Sequence, residues 1–320
     1  MYHIGVDLGG TNIAAGIVDN NGKLIICSSV KTGRHRPFVD IMGDMLELCD
    51  EIISRAGIDV AQVTTIGIGT PGNVDPHANR VVFGNNIPSF TDADFDTIVR
   101  EHYPHMELYL DNDANVAALA EAESGAAEGK KNVLMVTLGT GVGGGIIVDG
   151  KICRGFNGAG GEIGHIIVER DGVPCNCGRR GCWEQYASVT ALARETEEAL
   201  KKYPDSIIHK MIDGDVSKIS GLTAFDAMRK GDACGKAIVE KYIEYIGIGV
   251  VDMVNVLQPE IVVIGGGISK EGDYLIKPLR EYVKKYVYTN SVPEFPQTEI
   301  VAAKLGNDAG IIGAALLYKQ

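Results

Sequence analysis

Residues Asn132 to Lys151 read NVLMVTLGTGVGGGIIVDGK, and they echo the start of the chain, Tyr2 to Lys23, YHIGVDLGGTNIAAGIVDNNGK. Leu8-Gly9 aligns with Leu138-Gly139, and Ile17-Val18-Asp19 with Ile147-Val148-Asp149, with no gap between them. Ala14-Ala15 stands opposite Gly144-Gly145, and both stretches end in a Gly-Lys turn. Each copy reads as strand, glycine turn, strand, turn, strand, because short apolar, partly β-branched runs are separated by turn residues. An internal repeat of this kind points to a duplicated α/β fold. The duplication is expected to set two glycine turns face to face across a cleft.

Neither turn is a Walker motif, since no Gly-Lys-Ser/Thr follows at the required spacing. Neither is read as a dinucleotide fingerprint: counted from Gly141, Ile146 stands where the last glycine of that pattern belongs. Accessible backbone N–H groups still suit phosphate. Gly9 and Gly10 let the backbone approach a ligand closely, Thr11 adds a hydroxyl, and Asp7 is placed to meet a metal–phosphate. An ordinary glycine turn would look the same in isolation.

The chain has 320 residues, enough for two domains that each bury a core. Its 45% hydrophobic and 22% charged content is that of a soluble globular protein. A net charge of −12 leaves no global basic footprint for nucleic acid, so any phosphate must be held locally. Four of the seven cysteines, Cys27, Cys49, Cys153 and Cys234, are scattered and suggest no disulfide framework. That pattern fits a reducing cytoplasm, with no signal peptide and no membrane span.

The other three cysteines fall within eight residues: Cys175-Asn176-Cys177-Gly178-Arg179-Arg180-Gly181-Cys182. Thiolates this close read as a metal knuckle, and structural Zn²⁺ takes four sulfur or imidazole ligands. His165 is the nearest imidazole and the best fourth candidate. Gly178 and Gly181 suit tight ligand loops. Three buried free thiols are the alternative. Glu162 and Glu184 flank the cluster, and a pair of fixed carboxylates suits a hydroxyl-rich ligand because ionised oxygens only accept hydrogen bonds. Two solvated surface charges are the plain alternative for them.

Helical spacing predicts a helix over Phe38 to Ala56, stopped by Gly57. Thr64 to Gly69 reads as a buried strand entering the turn-rich loops Thr70 to Asp75 and Asn85 to Pro88. Leu108 to Leu110 is a strand, followed by Asp111-Asn112-Asp113-Ala114-Asn115 and an Ala-rich helix to about Ala127. Ligands of open α/β sheets bind outside the carboxyl ends of strands, which is where Asp113 falls. Two acids and two amides in five residues exceed what a helix cap needs. Further helices are expected over Ser188 to Lys202, Leu222 to Lys230, Lys236 to Leu257, Asp273 to Val287 and Asp308 to Tyr318. Strands are expected at Ile261 to Ile264, leading to Gly265-Gly266-Gly267, and at Glu299 to Ala303.

With these motifs in hand, the sequence resembles the ROK family of sugar kinases over almost its whole length. The resemblance rests on Asp7 to Thr11, Asp111 to Asn115, Gly139 to Gly145, Gly161 to His165 and Cys175 to Glu184, in that order. It implies the duplicated actin/hexokinase-like (ribonuclease H-like) α/β fold, with two lobes around a cleft. A small N-terminal lobe would span 1–115 plus 305–320, and a large C-terminal lobe with the zinc knuckle 116–304. It further implies ATP-dependent phosphorylation of a hexose, with Asp113 as catalytic base. Gly72, Asn85, Asn86, Asn112, Glu162, His165 and Glu184 would bind the sugar. Asp7, Gly9, Gly10, Thr11, Asn12, Gly139, Thr140, Gly141, Gly265 and Gly266 would surround ATP and Mg²⁺. His165, Cys175, Cys177 and Cys182 would hold a structural Zn²⁺. A homodimer or tetramer in the cytoplasm is the family expectation. The chain departs from the family pattern at Asn12, where a Lys is usual, and at Phe90, where a Trp is usual.

D-glucose is the hexose expected first. Kinases for N-acetylmannosamine, N-acetylglucosamine or fructose share these motifs, and polyphosphate could replace ATP. Sugar-responsive repressors of the same family carry a helix-turn-helix before the first strand. Here a strand is expected from Tyr2 and the charge is −12, both of which count against that reading.

Overall fold

The computed structural model describes residues 1–84, 87–292 and 294–320. Its elements, in chain order, begin with β1 (Tyr2–Leu8), β2 (Asn12–Asp19), β3 (Leu24–Lys31), α1 (Phe38–Ala56), β4 (Val63–Thr70), β5 (Asn73–Asp75), β6 (Arg80–Phe83) and β7 (Ala93–Asp94). There follow α2 (Phe95–His102), β8 (Glu107–Asn112), α3 (Asp113–Ser124), β9 (Val133–Leu138), β10 (Val142–Val148) and β11 (Lys151–Ile152). The remainder is mostly helical: α4 (Glu184–Ala187), α5 (Val189–Leu200), α6 (Ile208–Met211), α7 (Thr223–Arg229), α8 (Ala233–Leu257), β12 (Ile261–Gly265), α9 (Asp273–Tyr286), β13 (Glu299–Ala302) and α10 (Ala309–Ala315).

The repeat read in the sequence is a repeat of topology. One sheet has the order β3-β2-β1-β4-β8 and the other β11-β10-β9-β12-β13. In each, three strands consecutive in the chain lie side by side, and two later strands add beyond the first of them. In the first sheet β1 pairs antiparallel with β2 and parallel with β4, and β4 runs parallel to β8. In the second, β12 and β13 are parallel in register from Ile261↔Glu299 to Ile264↔Ala302. Parallel neighbours leave their carboxyl ends on one edge, where loops can gather a ligand.

Packing divides the chain into two units. Unit 1 comprises Met1–Met135, Gly145–Gly161 and Lys304–Gln320; unit 2 comprises Val136–Gly144 and Glu162–Ala303. The core of unit 1 is built from Ile4, Val6 and Leu8 of β1, Ile66 and Ile68 of β4, and Ile41, Met45, Leu48 and Ile52 of α1, all essentially inaccessible. Those helix residues recur at the spacing of one face, which is why α1 spans the predicted range. Gly57 stops it at φ 65° with its N–H on the carbonyls of Ile53 and Ser54. The helix α10 lies so close to the sheet that a Cβ on Gly5 or Gly67 would overlap the carbonyl oxygen of Ile311 or Ala314. Only glycine permits that approach.

Some expectations shift. Gly143, Gly144 and Gly145 belong to β10 and not to a turn, so the second glycine turn is short. A Cβ on Gly145 would strike the carbonyl of Ala114 and the side chain of Ala118, so this glycine lets α3 sit against the end of the strand. The helix expected to run to about Ala127 ends at Ser124, where Gly125 leaves the helical conformation at φ −116°, ψ −140°. The end of the loop expected over Thr70 to Asp75 is the strand β5, which joins β6 and β7, for which no strands were expected, in a small antiparallel sheet. Among the described residues no helix is long and apolar enough to cross a membrane.

Candidate active site

In unit 1 the site begins where β1 ends. Asp7 is followed by a turn closed by Gly9 N–H donating to Asn12 O at 3.0 Å. Thr32, just after β3, clamps this turn: its hydroxyl donates to Gly9 O at 2.6 Å and its N–H to Thr11 O at 3.1 Å. Thr11 and Asn12 are exposed, and Lys31 Nζ donates to Asn12 Oδ1 at 2.9 Å. Nothing in the sequence marked Thr32, because a lone threonine after a strand carries no signal of its partner.

Asp113 stands at the first position of α3, just past the end of β8, and is exposed. The cap is Asn112, whose Oδ1 accepts from Ala114 N at 2.9 Å while its Nδ2 donates to Gly72 O at 3.2 Å. Asp113 shares this donor, its Oδ1 accepting from Ala114 N at 2.8 Å. Asp7 titrates high, pushed up to about 6 by burial and, second, by the charge of Asp113. Two carboxylates sharing one region in this way favour a cation between or beside them. Gly72 holds φ 108°, beyond the reach of most side chains. Asn85 and Asn86 lie outside the described residues. Phe90 is buried among Phe38 and Phe95, with ring centroids at 5.5 and 5.4 Å, so it is a core residue.

Burial makes the protonated form of Asp7 the one the folded protein favours. A folded-state value above the ordinary one favours the protonated form, so this contribution to stability is complete below about pH 4 and is lost as pH rises through about 6. Asp7→Asn is permanently neutral. It should be more stable than the parent at pH 8 by up to about 3 kcal/mol, with the advantage gone at pH 4. Urea unfolding of both proteins at the two pH values measures it; a difference independent of pH would refute the assignment.

In unit 2 the turn Gly139-Thr140-Gly141 is closed by Gly139 N–H on Gly141 O at 3.0 Å. The start of α5 secures it, with Val189 N–H on Gly139 O at 2.8 Å and Thr190 Oγ1 on Thr140 O at 2.8 Å. Glu184 reaches the same turn, accepting from Val142 N–H at 3.1 Å through Oε2. Gly266, at φ 85° after β12, passes so close to Leu138 that a Cβ would overlap its backbone, so Gly265-Gly266 and the Gly139 turn are neighbours.

The four ligand candidates come together. One ligand atom from each of His165, Cys175, Cys177 and Cys182 lies within 4.8 Å of all the others. Cys177 Sγ is 3.5 Å from Cys182 Sγ, and Cys175 Sγ is 3.7 Å from His165 Nδ1. A tetrahedron with bonds of about 2.3 Å has edges of about 3.8 Å, so the donors fit Zn²⁺ in size as well as in chemistry. Gly178 at φ 87° and Gly181 at φ 77° supply the turns that make this possible. The Cys177 thiol is pulled down to about 6, first by the Arg179 backbone N–H, whereas burial pushes Cys182 up to about 12. His165 keeps Nε2 free of the cluster, 4.0 Å from Glu162 Oε2.

Trp183 anchors the knuckle. It is fully buried, its indole N–H donates to Tyr245 O on α8 at 2.7 Å, and its backbone N–H to Ile166 O at 2.8 Å. Gly249 of α8 leaves room for the ring. As the sole tryptophan, set between Cys182 and Glu184, it was the signal that the sequence reading passed over.

Comparison with known proteins now bears on this arrangement. The profile described as "ROK family" matches residues 3–320. The chain belongs to the ROK family. Among ROK relatives, it is 37% identical over 318 residues to the glucokinase of Thermotoga maritima, covering 99% of this chain and 97% of that protein. It is 36% identical to the glucokinase of Halalkalibacterium halodurans over 100% of this chain and 95% of that protein. The crystal structure of a ROK family glucokinase from Streptomyces griseus, in complex with glucose and AMPPNP, matches with a TM-score of 0.83 and 34% identity, covering 99% of each chain. This ROK protein accordingly has the actin/hexokinase-like architecture that its doubled sheet order displays.

Proposed function

We propose that this ROK protein transfers the γ-phosphoryl group of ATP to the 6-hydroxyl of D-glucose. The observation that carries the reading is Asp113: an exposed carboxylate at a strand-to-helix junction, next to the capping Asn112, in a chain similar end to end to glucokinases. A sugar hydroxyl is a weak nucleophile, and a fixed carboxylate can accept its proton as attack proceeds. Asn112, Gly72, Asn85, Asn86, Glu162, His165 and Glu184 are the proposed sugar contacts. His165 can serve twice, with Nδ1 towards zinc and Nε2 towards a hydroxyl, and Glu184 keeps Oε1 for the sugar while Oε2 holds Val142 N–H.

The backbone amides of Gly9, Gly10, Thr11, Asn12, Gly139, Thr140 and Gly141 are proposed to receive the phosphates, with Gly265 and Gly266 beside the nucleotide. Mg²⁺, when bound, supplies charge neutralisation on the phosphates, and Asp7 is the carboxylate to position it. Alignment of hydroxyl and phosphate does the rest. His165, Cys175, Cys177 and Cys182 would hold Zn²⁺ in a structural role. A cytoplasmic location and a homo-oligomeric state complete the reading.

A coupled assay with ATP and a sugar panel tests it. Glucose should exceed N-acetylmannosamine, N-acetylglucosamine and fructose in kcat/KM by on the order of 100-fold. Preference for an N-acetylated hexosamine would replace glucose with that sugar, and turnover with polyphosphate in place of ATP would replace the donor.

A further inference from the structure

Asp111 is 2% exposed, and its carboxylate accepts three hydrogen bonds, all from within unit 1. Oδ1 accepts from Asn112 N–H at 2.8 Å and from Asn115 Nδ2 at 2.9 Å. Oδ2 accepts from Arg154 Nε at 2.7 Å. The two Oδ1 partners stand on either side of Asp113, so this one carboxylate fixes the turn that aims Asp113. Arg154 is the cation paired with Asp111, and its side chain is itself only 25% exposed. We infer that Arg154 is a positioning residue for phosphoryl transfer, holding the Asn112-Asp113 turn through its ion pair with Asp111.

The segment that carries Arg154 is built to hold it there. Gly160 N–H donates to Arg154 O at 2.8 Å, which closes the 154–160 loop into a compact ring. Gly155 and Gly158 take φ 70° and 78°, and Gly158 packs directly on the Val74 carbonyl of β5. The β5 strand follows Gly72, whose carbonyl accepts from Asn112 Nδ2. Three segments, 72–75, 111–115 and 154–160, are thus tied to one another in unit 1, and the Arg154–Asp111 pair is the charged tie. Removing one member of a buried ion pair leaves the other uncompensated, and the backbone around it must rearrange. Here that backbone belongs to residues 112 to 115. A displacement of about 1 Å at a reacting group costs about 10²-fold in rate.

The inference rests on the kinase reading above, and its test separates the two. Full-length protein, Arg154→Lys and Arg154→Ala are compared by thermal unfolding and by steady-state kinetics with glucose and MgATP. Arg154→Ala should lose about 10²-fold in kcat, with KM for MgATP within about twofold and the protein fully folded at the assay temperature. Arg154→Lys keeps the charge without the directed Nε donor and should fall between, recovering about tenfold. A kcat for Arg154→Ala within threefold of the parent overturns the inference, as does a rate loss that merely follows the unfolded fraction. Should Arg154→Ala fail to fold, the lysine variant decides: a parental kcat overturns, and a reduced kcat with unchanged KM for MgATP supports. A parent protein that phosphorylates no sugar overturns the kinase reading itself, and that result is seen before any variant is made.

Discussion

Asp113→Asn should lower kcat by ~10²–10⁴-fold while KM for glucose and MgATP stays within a small factor, because general-base assistance is felt only as the proton leaves. The substitution is nearly isosteric and the side chain is exposed, so the fold has little to lose. An acid at the first turn of α3 gains a few tenths to about 1 kcal/mol from the helix dipole. Against that stands its repulsion of the half-buried Asp7, which raises the Asp7 pKa. Neutralising Asp113 removes that repulsion, so Asp7 should titrate lower in the variant than in the parent. Carbon-detected NMR of the Asp7 carboxylate follows this shift in the apo protein. Loss of turnover together with a downward move of Asp7 ties both carboxylates to one place. Near-parental kcat would take the base role from Asp113.

The parts of this protein that were legible in the sequence are those fixed by local pattern. Periodic Ile41, Met45, Leu48 and Ile52 located α1, and Gly57 its end. The gapless match of residues 8–19 with 138–149 announced the doubled sheet order before any strand pairing was known. Cysteine spacing located the knuckle, since ligands crowded in sequence have few ways to be apart in space. Illegible were features whose cause lies far along the chain. Gly143 to Gly145 look like a turn, yet they are strand residues, and Gly145 is where α3 packs too closely for a Cβ. The strands β5 to β7 are short and interrupted by turn residues, so period-2 alternation never accumulates. Arg154 lies 43 positions from Asp111, and no local rule links an arginine after a strand to an aspartate before a helix.

Cys182→Ser should abolish tight zinc binding and weaken glucose far more than ATP. Of the three thiols, Cys182 is fully buried and Cys177 exposed, so the two differ in what their loss disturbs. A hydroxyl is a poor substitute for thiolate at Zn²⁺. Its neighbour Trp183 plugs into α8, and the next residue, Glu184, holds the turn at Val142. Freeing Cys182 therefore loosens the backbone that sets Glu184 and, through His165, the imidazole facing Glu162. Unit 2 has a hydrophobic core of its own around α8, so zinc loss should not unfold it outright as it unfolds a small zinc finger. The expected result is one Zn²⁺ per chain in the parent by elemental analysis and none in Cys182→Ser after dialysis. Tm should fall by several degrees, KM for glucose should rise on the order of 10–100-fold, and KM for MgATP should hardly change. Cys177→Ser should show the same pattern to a smaller degree, because its exposed sulfur can be replaced by water. Parent protein that is fully active and equally stable after chelation, with no zinc bound, would leave the four donors without a structural role.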